Sequence, residues 1–171
     1  TANNANYANP EVKADIAERT KKAKADGLEG LKLSAVTKGP SIENAEVPDN
    51  AYADGAMADA VVATLKELKQ EGKPFFFAAG FLKPHLPFCA PKKYWDLYDR
   101  AKFQLATWRE KPKNGPDIAM HSSGELRTYL DIPKKGPVSD DKARELIHGY
   151  CAAVSYMDAQ LGRILAALDE Y

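Results

Sequence analysis

The chain has 171 residues, 44% of them apolar and 28% charged, a globular composition within the size of one ordinary domain. Lys and Arg together number 24, as do Asp and Glu, so the formal charge is zero. That excludes the cationic surplus with which a general nucleic-acid binder displaces counterions. The longest unbroken apolar run, Pro74 to Leu82, sits between Lys73 and Lys83 and is far too short to span a bilayer. No basic start leads into an apolar stretch, so no signal peptide is expected. Opening on Thr1 without an initiator Met reads as a mature product or an excised piece. Cys89 and Cys151 show neither metal spacing nor a disulfide framework. One bridge and two free thiols both stay open.

Asn9-Pro10-Glu11 reads as a helix start: an Asn cap, Pro at the first helical position, an acid in the first turn. Val12, Ile16 and the alanines give a thin apolar stripe, the basic run Arg19 to Lys24 suits the helix C-terminus, and Gly27 should end it. From Leu28 to Pro48 the signals are weak, and Val47-Pro48-Asp49-Asn50 reads as an extended entry into a turn. A second helix is expected from about Ala53 to Gln70, with Ala58, Val61, Val62, Leu65 and Leu68 at three- and four-residue steps and Gly72 as its stop.

Phe75 to Leu82 carries the strongest strand signal. It does not alternate, and a strand apolar on both faces is covered on both faces, which points to a central parallel strand in an α/β layer structure. Such a strand needs neighbours, and none is visible in the sequence, so the chain reads as part of something larger. A short helix is expected around Lys92 to Tyr98. From Asp99 to Ser139 the chain is rich in Pro, Gly, Lys and Asp and shows no clear element, so it either folds over another part of the protein or faces substrate. The final helix is the clearest, over about residues 140–169. Ser139 caps it, Asp140 and Asp141 occupy the positive first turn, and Ala143, Leu146, Ile147, Tyr150, Val154, Met157, Leu161, Ile164, Leu165 and Leu168 form its stripe.

Ligands of open α/β sheets sit beyond the carboxyl ends of strands, and Lys83 and His85 fall there. Pro84 and Pro87 restrict the backbone around the histidine. The lysine can offset the charge of an anionic ester, and the imidazole can bind an ester oxygen or protonate a leaving alkoxide. The plain alternative is a loop lysine and a histidine that satisfies a carbonyl. Asp140 and Asp141 read as a cap rather than a metal dyad. His148 reads as a flank residue and His121 as a loop residue with a conceivable binding role. Tyr94, Trp95 and Tyr98 read as a packed aromatic cluster rather than a sugar platform, and Asp54 and Asp59 as a cap and an exposed face.

Lys73 to Phe88, followed by Ala90-Pro91-Lys92-Lys93-Tyr94, resembles the middle of the iduronate-2-sulfatase-like, type I sulfatases. The helix from His148 to Arg163 resembles the family's next landmark, a tyrosine-rich helix that leads to a metal-binding Asp-His-Gly. Val47 to Gly55 has the family's flavour as well. The resemblance covers about residues 40–171. It implies an alkaline-phosphatase-like α/β fold, sulfate-ester hydrolysis, a formylglycine made within a Cys/Ser-x-Pro-x-Arg motif, and a calcium ion. The residue matching His85 contacts the ester near its leaving oxygen in that family, and Lys83 matches the motif as a substrate-binding residue.

The departures are as informative. The sequence holds no Asp-Asp pair matching the N-terminal metal ligands, no Cys/Ser-x-Pro-x-Arg and no terminal Asp-His-Gly. Cys89-Ala90-Pro91-Lys92-Lys93 only mimics the modification motif, because it follows the His85 block instead of preceding it. The expectation is therefore a fragment, residues 1–171 being the central segment of a sulfatase catalytic domain. Its parent acts on a sulfated carbohydrate, is periplasmic or secreted, and binds neither nucleic acid nor membrane. The segment's own partner is the rest of that domain, and alone it is inactive. Two alternatives are another phosphate- or phosphonate-ester hydrolase of the alkaline phosphatase superfamily and a self-standing helical interaction module. An exposed Phe75–Leu82 run would favour the module.

Overall fold

The computed structural model describes residues 4–120 and 122–171. Local backbone chemistry sets most of the helix ends. Helix α1 (Pro10–Ala25) starts where the Asn9 side chain accepts the Glu11 N–H at 2.8 Å. It ends before Gly27, whose φ of 75° belongs to the left-handed region that glycine enters freely. A short helix α2 (Gly30–Val36) follows, where the sequence signals are weak. Helix α3 (Ala53–Glu71) runs as the periodicity predicts and stops at Gly72, in the left-handed conformation. After α4 (Lys92–Trp95), the described residues form only short three-ten turns until α5 (Asp140–Glu170). At the start of α5 the Ser139 hydroxyl accepts the Lys142 N–H at 3.2 Å.

The sheet differs from expectation. Two-residue strands β1 (Ile42–Glu43) and β2 (Phe88–Cys89) pair in parallel, Ile42 opposite Phe88. The Phe75–Leu82 run is neither helix nor sheet strand. Among the described residues no backbone hydrogen bond joins 74–81 to another segment, and Phe76 is 96% exposed. The reason is physical: an extended segment becomes a strand only when a neighbour takes up its N–H and C=O groups, and no described segment pairs its backbone with residues 74–81. The expected α/β layering thus reduces, within this chain, to helices around one small parallel ladder.

Helix α5, 31 residues and about 46 Å long at 1.5 Å per residue, is the spine. It packs on α3, α4 and both strands. One core cluster joins Tyr7, Ile16, Tyr52, Cys89, Trp95 and Tyr156, and a second joins Val61, Leu65, Ile164 and Ala167. The buried face of α5 meets the expected stripe only at Ile164. It is made of His148, Gly149, Ala152, Ala153, Tyr156, Gln160, Ile164 and Ala167, while Tyr150, Leu161, Leu165 and Leu168 are exposed. Small residues let the helix approach its neighbours closely, and periodicity weighted by apolar bulk picks out a side rotated away from it. His148, expected on the flank, is buried. Its Nε2 donates to the Trp95 carbonyl at 2.8 Å, and its ring lies edge-on to Trp95.

Candidate active site

The Lys83–Pro87 loop begins where the extended run reaches the N-terminus of α3. There Asp54 accepts two successive backbone N–H groups, Leu82 at Oδ1 (3.0 Å) and Lys83 at Oδ2 (2.8 Å). Asp54 is 4% exposed, so the expectation that it merely caps its helix is replaced by a clamp between two segments. The loop then turns back, the His85 N–H donating to the Leu82 carbonyl at 3.0 Å. It leaves into β2, where the Phe88 N–H meets the Ser41 carbonyl at 2.8 Å.

Pro84 and Pro87 bring no N–H to the loop, so its carbonyls need a donor from a side chain. Lys83 supplies it: its Nζ donates to the carbonyls of His85 (3.0 Å) and Pro87 (2.7 Å). The lysine is 7% exposed, and burial pulls its pKa below the ordinary lysine value, with Cys89 and Asp54 nearby opposing that shift.

His85 projects outward with a side chain 55% exposed. Its Nδ1 lies 2.7 Å from the Leu86 carbonyl. A carbonyl only accepts, so Nδ1 carries the hydrogen and Nε2 is left for another partner. Nε2 faces the Glu125 carboxylate at 3.7 Å, too far for a hydrogen bond. Glu125 is itself held by Lys38 at 3.0 Å, and the Lys38 ammonium also donates to the Tyr129 hydroxyl (3.2 Å) and lies over its ring. The arrangement can hold an imidazole in place, keep the Lys83 ammonium on the loop carbonyls around it and present Nε2 to a group outside the loop.

The two residues singled out in the sequence, Lys83 and His85, thus share one loop, and Asp54, Glu125 and Lys38 join them from three other segments. Nothing in the sequence marks these three. An acid in a first helical turn is ordinary, and Glu125 and Lys38 lie in irregular stretches. His121 falls outside the described residues. Tyr94 and Trp95 are packed in the core, and the Tyr98 hydroxyl pairs with that of Ser155 at 2.6 Å. Asp140 pairs with Arg109 at 2.8 Å, and Asp59 with Arg163.

Calcium and formylglycine, implied by the family resemblance, do not fit the residues here. Among the described residues, no three His, Cys, Asp or Glu side chains gather to hold a metal ion. The sequence has no Cys/Ser-x-Pro-x-Arg. Cys89 is fully buried and burial pushes its thiol far up, the reverse of an activated nucleophile.

The sulfatase family model matches residues 3–171. The chain belongs to the sulfatase family. Iduronate 2-sulfatase of Mus musculus is 33% identical over 135 residues, 75% of this chain and 24% of that protein. Iduronate 2-sulfatase of Homo sapiens is 34% identical over 131 residues, 73% of this chain and 24% of that protein. A sulfatase of Formosa agariphila is 30% identical over 102 residues, 58% of this chain and 19% of its own length. This sulfatase chain spans about a quarter of the length of the mouse and human relatives it matches. Family membership disfavours the self-standing helical module, which the exposed Phe75–Leu82 run taken alone would have favoured.

Proposed function

We propose that residues 1–171 are the central segment of the catalytic domain of a sulfuric ester hydrolase, and that the parent removes sulfate from a sulfated carbohydrate. The observation that carries the reading is the outward-facing Nε2 of His85 on a loop tied down by Lys83, within a stretch that matches the sulfatase family. In this proposal the α/β sheet is completed by strands from the rest of the domain laid beside Phe75–Leu82. The nucleophile and the calcium site belong to that remainder. The parent works in the periplasm or outside the cell.

The role assigned to His85 is to give the Nε2 proton to the departing oxygen as the ester bond breaks. The sulfuryl group passes to the nucleophile of the remainder, the S–O bond's electron pair stays on the leaving oxygen, and that oxygen takes the Nε2 proton of the imidazolium and leaves as an alcohol. Protonation matters most when the alcohol is a poor leaving group. His85→Ala in the full-length protein should therefore damage a sugar sulfate more than a nitrophenyl sulfate, each tenfold difference corresponding to about 1.4 kcal/mol. Lys83 is assigned to substrate binding by its charge. Its ammonium also holds the His85 and Pro87 carbonyls, so Lys83→Met should weaken both substrates and, through the loosened His85, the sugar sulfate more. The measurement is kcat/KM for each variant on both esters. Equal losses for His85→Ala would leave it without a general-acid role.

Residues 1–171 alone should release no sulfate from an aryl sulfate at high protein concentration with calcium added, because no activated nucleophile is present. Turnover abolished by Cys89→Ala would restore Cys89 as a nucleophile. Turnover of a phosphonate or phosphodiester by the full-length protein, without sulfate release, would move the parent to the other branch of the superfamily.

A further inference from the structure

The His85 loop has no regular secondary structure of its own beyond the ladder it enters, yet its backbone is bound at every turn. The groups that bind it lead back to a single carboxylate. Asp54 stands in the first turn of α3, where an acid ordinarily interacts with the free N–H groups of its own helix. Here its two oxygens are taken instead by the N–H groups of Leu82 and Lys83, at 3.0 and 2.8 Å. These residues lead into the loop, Lys83 being its first.

The position of Asp54 is itself fixed from α5. The Tyr156 hydroxyl, wholly buried, accepts the Gly55 N–H at 2.6 Å and donates to the Asp49 carbonyl at 2.9 Å. A Cβ on residue 55 would collide with the Asp49 backbone. The N-terminus of α3 therefore cannot slide against α5, and the clamp on residues 82 and 83 is set from a rigid base. Beyond the clamp, Lys83 carries the order forward. Its main chain is held by Asp54, and its ammonium holds the carbonyls of His85 and Pro87. The Leu82 carbonyl, beside one clamped N–H, receives the His85 N–H.

We propose that Asp54 is the positioning residue of the site. It touches neither substrate nor imidazole, and it sets where His85 Nε2 stands by fixing the backbone at Leu82 and Lys83. The proposal rests on the reading of His85 as the proton donor to the leaving oxygen. Its size follows from the sensitivity of catalysis to small displacements of a reacting group, where about 1 Å can cost on the order of a hundredfold.

The test uses the full-length protein that contains this chain. Asp54→Asn keeps the shape of the side chain but replaces one acceptor oxygen with an N–H₂ group, which must face a backbone N–H whichever way the amide turns. Measured as kcat/KM, Asp54→Asn should cost about 10- to 100-fold on a sugar sulfate and clearly less on a nitrophenyl sulfate. In a His85→Ala background it should cost almost nothing further, because a residue acting through another is not additive with it. Amide exchange of Leu82 and Lys83 in the same variant should quicken, while Asp59→Asn, a half-buried acid on the same helix that pairs with Arg163, should change neither readout. Equal losses on both substrates, or the same loss with and without His85, would make Asp54 a general structural residue and overturn the proposal, as would unchanged exchange at Leu82 and Lys83. If Asp54→Asn does not fold, Asp54→Glu, with both acceptors on a longer arm, is judged by the same criteria. Absence of sulfate release by the unmodified full-length protein would sink the sulfatase reading instead, and amide exchange would still decide whether Asp54 holds the loop.

Discussion

Asp131 shows how one side chain can join distant parts of this molecule. Its carboxylate accepts the Ser41 N–H at 2.6 Å and the Ser41 hydroxyl at 2.7 Å, just before β1, and meets the Lys142 ammonium at 2.5 Å in the first turn of α5. Burial raises the pKa of Asp131, but the hydrogen bonds from Lys142 and Ser41 outweigh it and hold the carboxyl below its ordinary value. The folded chain thus binds this proton more weakly than the unfolded one. The contribution is present in full above the unfolded value of about 3.9 and is lost as pH falls through the lower folded value. Asp131→Asn should therefore lower the urea midpoint near pH 7, and the gap from the unmodified chain should narrow near pH 3. A gap unchanged with pH would show that shape, not charge, is what Asp131 supplies.

Within α5, two glycines on one helix make opposite predictions. A Cβ on Gly149 would lie 2.8 Å from the Trp95 ring, 3.0 Å from the Phe88 Cβ and 3.3 Å from an Ile42 methyl. These neighbours belong to α4 and the two strands, and none can swing aside. Gly149→Ala should destabilise the chain by about 1–3 kcal/mol despite alanine's better helix propensity. Around Gly162 nothing lies within 4 Å, so Gly162→Ala should stabilise by up to about 1 kcal/mol. Thermal or urea unfolding of the two variants checks both signs. The contrast also shows why the apolar stripe misplaces the buried face of α5. Close packing near Gly149 is achieved by having little side chain there, which a pattern of large apolar residues does not register.

At the scale of the whole molecule, the apolar surface is divided. Phe75, Phe76, Leu82, Leu161, Leu165 and Leu168 are exposed. In the proposed parent the rest of the domain covers them. The amides of residues 75–81 should accordingly exchange rapidly in the 171-residue chain and slowly in the full-length protein. Slow exchange in the short chain, or equally fast exchange in both, would count against a completed sheet at this run. The same surface should make the short chain self-associate as its concentration rises, and Phe76→Lys should reduce this in sedimentation experiments.

Helix ends were legible from a few adjacent residues: Asn9-Pro10 opening α1, Gly72 closing α3, Ser139 with Asp140 and Asp141 opening α5. Such signals are local, because a cap or a left-handed glycine acts on backbone groups within a turn of itself. The Lys83–Pro87 loop was legible for a similar reason, since two prolines around a histidine restrict the chain wherever it lies. The apolar character of Phe75–Leu82 was legible as well, but its state was not, because a strand exists only through a partner outside its own residues. Tertiary structure alone decided that Lys83 spends its ammonium on its own loop, that Asp54 clamps residues 28 and 29 positions away, and that Asp131 reaches Ser41 across 90. Single charged side chains in first turns and loops carry no period and no spacing. Only the packing of α3 and α5 against the segments between them brings those carboxylates to the backbone groups they hold.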